Sequence, residues 1–445
     1  MARPNDFAVS DAPAVQAQLE RLGALSIPTG RLGLDVIRDL CVHLGHPETA
    51  LPPVFHVAGT NGKGSTCAFL RAALEAAGKT VHVFTSPHLC RFNERIRIAG
   101  TLIADDLLAE LLGEVLDVAE REAIGASFFE VSTAAAFLAF SRTPADACIF
   151  EVGLGGRLDA TNVIPNPLVC GIAALGIDHE QFLLAPCEGA PTDPHVRIAF
   201  EKAGIAKPGA PLVTQDYTPA MNAQIAAQAE GAGTYPVQAG ADWSIALTPD
   251  GFAYIDHIGR IDLPAPRLPG SHQMMNAGLA IAMLRHQDAI EVPEAALAAA
   301  MDWARWPARL QRLEQGPLTD LLPANTPCWL DGGHNPSAGE ALAAYFLAQK
   351  PAIHLVLGML ANKDSLALIE PLAGMLTSIT AVPVPDHEWH PAQDFRHAQA
   401  PAPHAAASVA EALSGLAVMP GDIVLIAGSL YLAGAVLREN EQLPQ

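Results

Sequence analysis

Positive charge is scarce in this chain. Its 26 lysines and arginines face 47 aspartates and glutamates, for a formal net charge of −21. Phosphate backbones select basic surfaces, so this balance argues against a nucleic-acid partner. Paired cysteine motifs are missing too. The seven cysteines (41, 67, 90, 148, 170, 187 and 328) include no C-x-x-C and sit mostly among apolar neighbours. That argues against a zinc or disulfide framework and reads as reduced core thiols. No apolar run approaches the roughly 18 residues of a membrane span. Residues 1–13 lack the basic patch and apolar stretch of a signal peptide. Repeats and low-complexity tracts are absent as well. The expectation is a soluble protein of the cytoplasm that engages no membrane.

What is plentiful is apolar material. Half of the 445 residues are hydrophobic and only 16% are charged, enough for a large interior and more than one core. The most informative stretch is Val54-Phe55-His56-Val57-Ala58, Gly59-Thr60-Asn61-Gly62-Lys63-Gly64-Ser65, then Thr66 through Ala77. It reads as a buried strand, a glycine-rich turn closing on Lys-Gly-Ser, and a helix. Glycines let backbone N–H groups converge on an anion, the helix N-terminus adds partial positive charge, and a lysine reaches terminal phosphates. The spacing departs from G-x-x-x-x-G-K-[ST], because Gly64 stands where the hydroxyl residue is expected and Ser65 follows it. The plainer alternative is a turn between core elements. The strand–turn–helix context favours a nucleoside triphosphate site.

Strands and helices alternate from that point. Strands are expected at 80–84, 147–152 and 168–177, and helices at 105–122, 132–140 and 196–207. Two short helices, 15–23 and 34–44, precede the loop, and alanine-rich 223–232 and 405–413 read as helix. This βαβ rhythm predicts an α/β fold with a mostly parallel sheet. Between Tyr235 and Leu263 short strands broken by Gly and Asp suggest an antiparallel edge, and helices return at 274–286 and 293–303. The Trp303–Pro307 run reads as a boundary. Beyond it apolar strands at 328–330, 353–358, 379–384 and 423–426, with a helix at 430–439, predict a smaller Rossmann-like α/β domain. The expected division is residues 1–303 and 304–445.

Several side chains then fall at strand ends, where Rossmann-like sheets bind ligands. Glu151 ends an apolar strand and opens Val-Gly-Leu-Gly-Gly-Arg-Leu-Asp-Ala-Thr-Asn. A carboxylate there suits a nucleotide-bound Mg²⁺, the less favoured alternative being a cap on the next turn. His179 follows Ile177-Asp178 and is a metal-ligand candidate or an ordinary surface histidine. Ser86, in Ser-Pro-His, reads alone as a turn residue. Lys202, in Glu-Lys-Ala-Gly-Ile, either snorkels to water or is a desolvated amine open to modification. Asp331 and His334, in Asp-Gly-Gly-His-Asn-Pro, fit a ligand site or a capped helix start.

Together these runs, with Ser-Pro-His-Leu (86–89), Phe-Asn-Glu-Arg-Ile (92–96) and Phe-Glu (129–130), closely resemble folylpolyglutamate synthase/dihydrofolate synthase of the Mur ligase superfamily. The resemblance implies a Mur-ligase-type ATPase domain followed by a Rossmann-like ligase domain. It implies ATP-dependent amide ligation: a substrate carboxylate is phosphorylated, and the amine of L-glutamate attacks the acyl phosphate. The acceptors implied are dihydropteroate and folate glutamate tails. Lys63 and the Gly59–Ser65 backbone would hold phosphates. Ser65, Ser86, Glu151 and His179 would hold Mg²⁺, and Lys202 would carry a CO₂-derived carbamate. Asn276, Arg309 and Asp331 would contact ATP, with His334 near the reaction centre. Phe129 and Asp159 would line the pterin pocket, and a monomer is the implied state.

Three departures accompany the resemblance. The Phe182–His195 stretch is long, Asp-Gly-Gly-His replaces the commoner Asp-Gly-Ala-His, and the stretch 312–327 is also long and carries no assigned function. A peptidoglycan ligase of the same superfamily is the rival enzyme, disfavoured by the short stretch before Gly59. A regulator that binds ATP without ligation is the rival outside enzymes.

Overall fold

Strands flanked on both faces by helices read as near-continuous apolar runs, and Val54–Ala58, Ala147–Glu151, Ile353–Leu357 and Ile423–Ala427 are buried at every position in the computed structural model. The structure describes residues 10–25, 33–347 and 349–444. The first nine residues of the polar tail lie outside it. Among the described residues the chain divides into two units. The first runs to Pro87 and includes Arg91–Arg267 and Gln273–Arg305. The second comprises His88–Cys90, Leu268–His272 and the chain from Trp306 onward, so neither is continuous in sequence.

The first unit is built on strands β1 (Val54–Ala58), β2 (Val81–Phe84), β3 (Ile96–Ile98), β4 (Thr101–Leu102), β5 (Ala147–Glu151), β6 (Val169–Ile172), β7 (Leu212–Thr214) and β8 (Pro236–Gln238). Their order is β4-β3-β2-β5-β1-β6-β7-β8. Every pair from β2 to β8 is parallel, and only β3 and β4 run against their neighbours. The helices are α1 (Pro13–Gly23), α2 (Asp35–His43), α3 (Lys63–Ala76), α4 (Asp105–Arg121), α5 (Phe128–Arg142), α6 (Glu180–Leu183), α7 (Pro194–Ala203), α8 (Pro219–Gly231), α9 (His272–Arg285) and α10 (Glu294–Trp303). Residues of α1, α2, α4 and α5 close over Phe84 and Phe150 in one core, and α7 and α8 bury a smaller one against β6 and β7.

Several expectations shift here, among them the helix read as 132–140, which runs from Phe128 to Arg142. The strand read to Ile177 leaves the sheet after Ile172, because the Ala174 carbonyl turns to accept the Thr60 and Asn61 N–H groups at 2.8 and 3.1 Å. The helix read as 196–207 starts at Pro194, capped by Asp193, and ends at Ala203. The segment read as an antiparallel edge splits. Its first part, β8, joins the main sheet in parallel. The rest, β9 (Trp243–Thr248), β10 (Gly251–Asp256) and β11 (Arg260–Pro264), forms a separate antiparallel meander that buries Trp243, Phe252 and Tyr254.

The second unit holds β12 (Gln311–Arg312), β13 (Cys328–Asp331), β14 (Ile353–Leu357), β15 (Leu376–Ala381), β16 (Pro403–Ala405) and β17 (Ile423–Ala427) in the order β12-β13-β17-β14-β15-β16. Only β12 is antiparallel. Its helices are α11 (Pro336–Leu347), α12 (Ile369–Leu372), α13 (Val409–Ser414) and α14 (Leu430–Glu439). The alanine-rich 405–413 stretch is thus a strand end and a short helix, since Ser408 caps α13 through the Glu411 N–H. Among the described residues no helix is long and apolar enough to cross a membrane.

Candidate active site

The C-terminal ends of β2, β5, β1 and β6 bring Ser86, Glu151, the 59–63 turn and the 178–179 turn to one edge of the sheet. Register places Val57 of β1 beside Glu151 of β5, and Ala58 beside Ile172 of β6. The phosphate-loop turn is possible because Gly62 adopts φ +82°, and a Cβ there would collide with the Asn276 amide. Asn276 itself is 3% exposed on α9 and donates to Gln273 at 3.1 Å. The loop is anchored from the segment after β6 as well: Thr60 Oγ1 donates to the Gly176 carbonyl at 2.8 Å.

Two lysines converge on this turn. Lys63 Nζ donates to the carbonyls of Gly59 and Thr60 at 3.1 and 3.3 Å. Lys202 Nζ donates to the same Gly59 carbonyl at 2.8 Å. Burial pushes the Lys202 ammonium down to about 7, and the Lys63 charge adds to the effect against the pull of Asp178, Asp159 and Glu201. Gly59, Thr60, Lys63, Gly153–Gly155, Asp178, His179, Leu183 and Lys202 line a small pocket open to solvent. A pocket holding two amines and a helix N-terminus calls for an anion.

Lys202 is positioned by contacts that no sequence spacing announces. Gly156 lets the loop after β5 press on α7, where a Cβ would stand 2.9 Å from the Glu201 carbonyl. The Arg157 N–H donates to that carbonyl at 2.7 Å. The Arg157 guanidinium then grips the Glu201 carboxylate through Nε and Nη2 at 3.1 and 2.9 Å. Arg197 pairs with Glu201 at 3.0 Å, and its Nε donates to the Leu183 carbonyl at 3.0 Å. These bonds supply the path from His179 through the long 182–195 stretch to Lys202.

Glu151 is buried at the end of β5 and accepts the Ser86 N–H at 3.3 Å. Ser65 is buried on the first turn of α3. His179 sits at φ +53° before α6, with its ring half exposed and its N–H donating to Asp178 at 2.8 Å. Phe129, in the first turn of α5, lies directly over Gly153, where any Cβ would strike the ring. Asp159 is almost fully buried and accepts from its own loop: the Leu154 N–H at 2.8 Å, the Thr161 N–H at 3.0 Å and the Thr161 hydroxyl at 2.6 Å. Burial still raises its carboxyl above the ordinary range. Thr161 has one proton and gives it to Asp159, so His56 Nε2 donates to Thr161 at 2.8 Å.

Arg309, Asp331 and His334 gather in the second unit. Asp331 ends β13 and accepts the N–H groups of Leu310 and Gly333 at 2.8 and 2.7 Å, tying the Arg309 segment to the turn. Gly332 leaves room for the Arg309 guanidinium. His334 Nδ1 lies 3.2 Å from the Gly332 carbonyl. The start of α11 is capped by Asn335, which accepts from Ala338 at 2.9 Å, so Asp331 is not its cap.

The parallel sheet, the glycine turn and the paired lysines define a nucleotide-binding α/β protein of the P-loop kind. Comparison with known proteins narrows this further. No protein-family model matches the chain. A dihydrofolate synthase/folylpolyglutamate synthase of Bacillus subtilis (strain 168) is 36% identical over 325 residues, spanning 70% of this chain and 71% of that protein. Among solved structures, E. coli FolC in complex with DHPP and ADP superposes with a TM-score of 0.82 at 30% identity, covering 96% of this chain and 97% of that one. A bifunctional folylpolyglutamate synthase/dihydrofolate synthase with Mn, AMPPNP and L-glutamate bound gives a TM-score of 0.82 at 28% identity, covering 96% and 98%. The chain belongs to the dihydrofolate synthase/folylpolyglutamate synthase family.

Proposed function

We infer that this chain is an ATP-dependent amide ligase that joins L-glutamate to dihydropteroate, forming dihydrofolate, and to the glutamate tail of folates. The observation that carries the reading is the pocket where the phosphate loop, Lys63, Lys202 and the 153–155 and 178–179 turns meet, in a chain of this family. The γ-phosphate of ATP passes to the substrate carboxylate, and the amine of glutamate attacks the acyl phosphate. A tetrahedral intermediate then releases phosphate. Such chemistry needs positioning and charge neutralisation and no enzyme nucleophile.

In this reading Lys63 and the Gly59–Ser65 loop hold the ATP phosphates, through loop N–H groups other than those of Thr60 and Asn61, which the Ala174 carbonyl takes, with Asn276, Arg309 and Asp331 as further ATP contacts and His334 near the reacting groups. Ser65, Ser86, Glu151 and His179 would hold Mg²⁺. Oxygen donors from two hydroxyls and a buried carboxylate suit that hard cation. Magnesium when bound neutralises phosphate charge. Phe129 stacks on the pterin and Asp159 shapes the pocket wall beside it. Residues 1–303 supply the phosphate loop and the pterin contacts, and residues 304–445, the ligase domain, supply Arg309, Asp331 and His334.

Lys202 is assigned as a carbamate. Its neutral amine would attack CO₂, forming an N–C bond and releasing one proton, which turns a buried cation into an anion. The lowered proton affinity of this amine and its burial beside Lys63 support the step. A monomer working in the cytoplasm completes the proposal.

Glutamate-dependent phosphate release from Mg-ATP, with dihydropteroate and tetrahydrofolate offered separately, tests it. Turnover with both is expected. Turnover with one would leave a single activity. Silence with both, alongside retained ATP binding, would overturn the ligase reading in favour of a nucleotide-binding regulator.

A further inference from the structure

Elsewhere in the first unit, the turn between β10 and β11 meets the end of α9. Asp256 closes β10, His257 follows it in the turn, and His286 follows Arg285, the last residue of α9. One ligand atom of each of Asp256, His257 and His286 lies within 4.8 Å of the others. The two imidazole centroids are 5.3 Å apart, with the rings tilted at 48°. Nε2 of His286 is buried and has no hydrogen-bond partner among the described residues.

We propose that Asp256, His257 and His286 form an accessory site for a divalent transition metal of the zinc type. Two imidazoles and one carboxylate suit zinc, nickel, cobalt or copper, whereas Mg²⁺ prefers oxygen donors. Tetrahedral zinc holds its ligand atoms about 3.4 Å apart, so His257 must swing inward by roughly 1 Å or a little more. His257 is exposed and at liberty to do so. Asp256 Oδ1 already accepts from Ile258 and Gly259 at 2.9 and 3.1 Å and from Arg285 Nη2 at 2.8 Å. Oδ2 accepts from Arg285 Nε at 2.7 Å and is the less crowded oxygen for an ion. The C-terminal end of α9 adds partial negative charge.

The simpler reading is a structural one: the Asp256–Arg285 pair locks the turn to α9 and the imidazoles only touch. It leaves a buried ring nitrogen unpaired, which an ion would satisfy. Arg285 offsets the Asp256 charge, so binding rests on the two imidazoles. An ion here would clip the meander to the helix that carries Asn276.

The test is titration of the full chain with Co²⁺ in excess Mg²⁺, read by the visible absorption of tetrahedral cobalt and by competition with Zn²⁺. One saturable equivalent is expected. His257→Ala and His286→Ala should each weaken it about tenfold or more, while His179→Ala leaves it intact. No saturable binding would overturn the proposal. So would binding unchanged in both of the first two variants, or a signal lost only with His179→Ala.

Discussion

At the scale of residues, the notable arrangement is two amines on one carbonyl. Lys63 and Lys202 both donate to Gly59, and only Lys202 is fully enclosed. Glu151→Ala and Lys202→Ala should each lower kcat at least about tenfold, or roughly 1.4 kcal/mol of transition-state stabilisation. Wild-type turnover in either variant would remove that residue from the mechanism. Lys202 also makes stability depend on pH. In the folded chain burial, with Lys63 second, brings it to about 7, against about 10.4 for a free lysine. Between those values the unfolded chain binds a proton that the folded chain does not, so stability rises with pH across that window. In buffer free of metal and CO₂, Lys202→Met should therefore melt above wild type near neutrality, with the gap closing as the pH approaches about 10. Equal melting at neutral pH would mean that the ammonium is better solvated than its burial implies.

Among elements, the decisive contact is the loop after β5 against α7. Gly156 permits it, and Arg157 and Glu201 lock it. Gly156→Ala would push a methyl against the Glu201 and Lys202 carbonyls at 2.9 and 3.0 Å. Overpacking of this kind lowers stability by about 1–3 kcal/mol. Urea unfolding should show that loss, and kcat should fall with it, because Lys202 moves with α7. Unchanged stability would mean that the loop gives way without strain. The elements were largely legible beforehand: β1 and α14 match their expected ranges, since a fully apolar strand and a capped amphipathic helix are written locally. The antiparallel strands of β9–β11 were expected too, but not that they form a sheet of their own. Whether a short strand joins a sheet or pairs with its own hairpin neighbours depends on what else competes for the edge.

On the scale of the molecule, two α/β units share one chain that crosses between them more than once. The proposed monomer predicts sedimentation at the mass of one chain, with and without nucleotide. A dimer at micromolar concentration would overturn it. The acidic net charge of −21 favours solubility and does not conflict with a phosphate site, because the pocket gathers its own cations.

The sequence by itself determined the α/β class, the glycine turn that opens α3 and the polar residues that end the buried strands. Those features follow from local pattern: apolar runs, glycines where positive φ is needed, and charges where strands leave the core. Only the tertiary structure decided which of them meet. Arg157 and Glu201 are 44 residues apart, Thr60 and Gly176 are 116, and His56 and Thr161 are 105. Such pairs leave no periodic trace in a single chain, because a hydrogen bond between distant segments places no constraint on the residues beside either partner. The same holds for Lys202, whose low proton affinity arises from burial and from Lys63 across the loop.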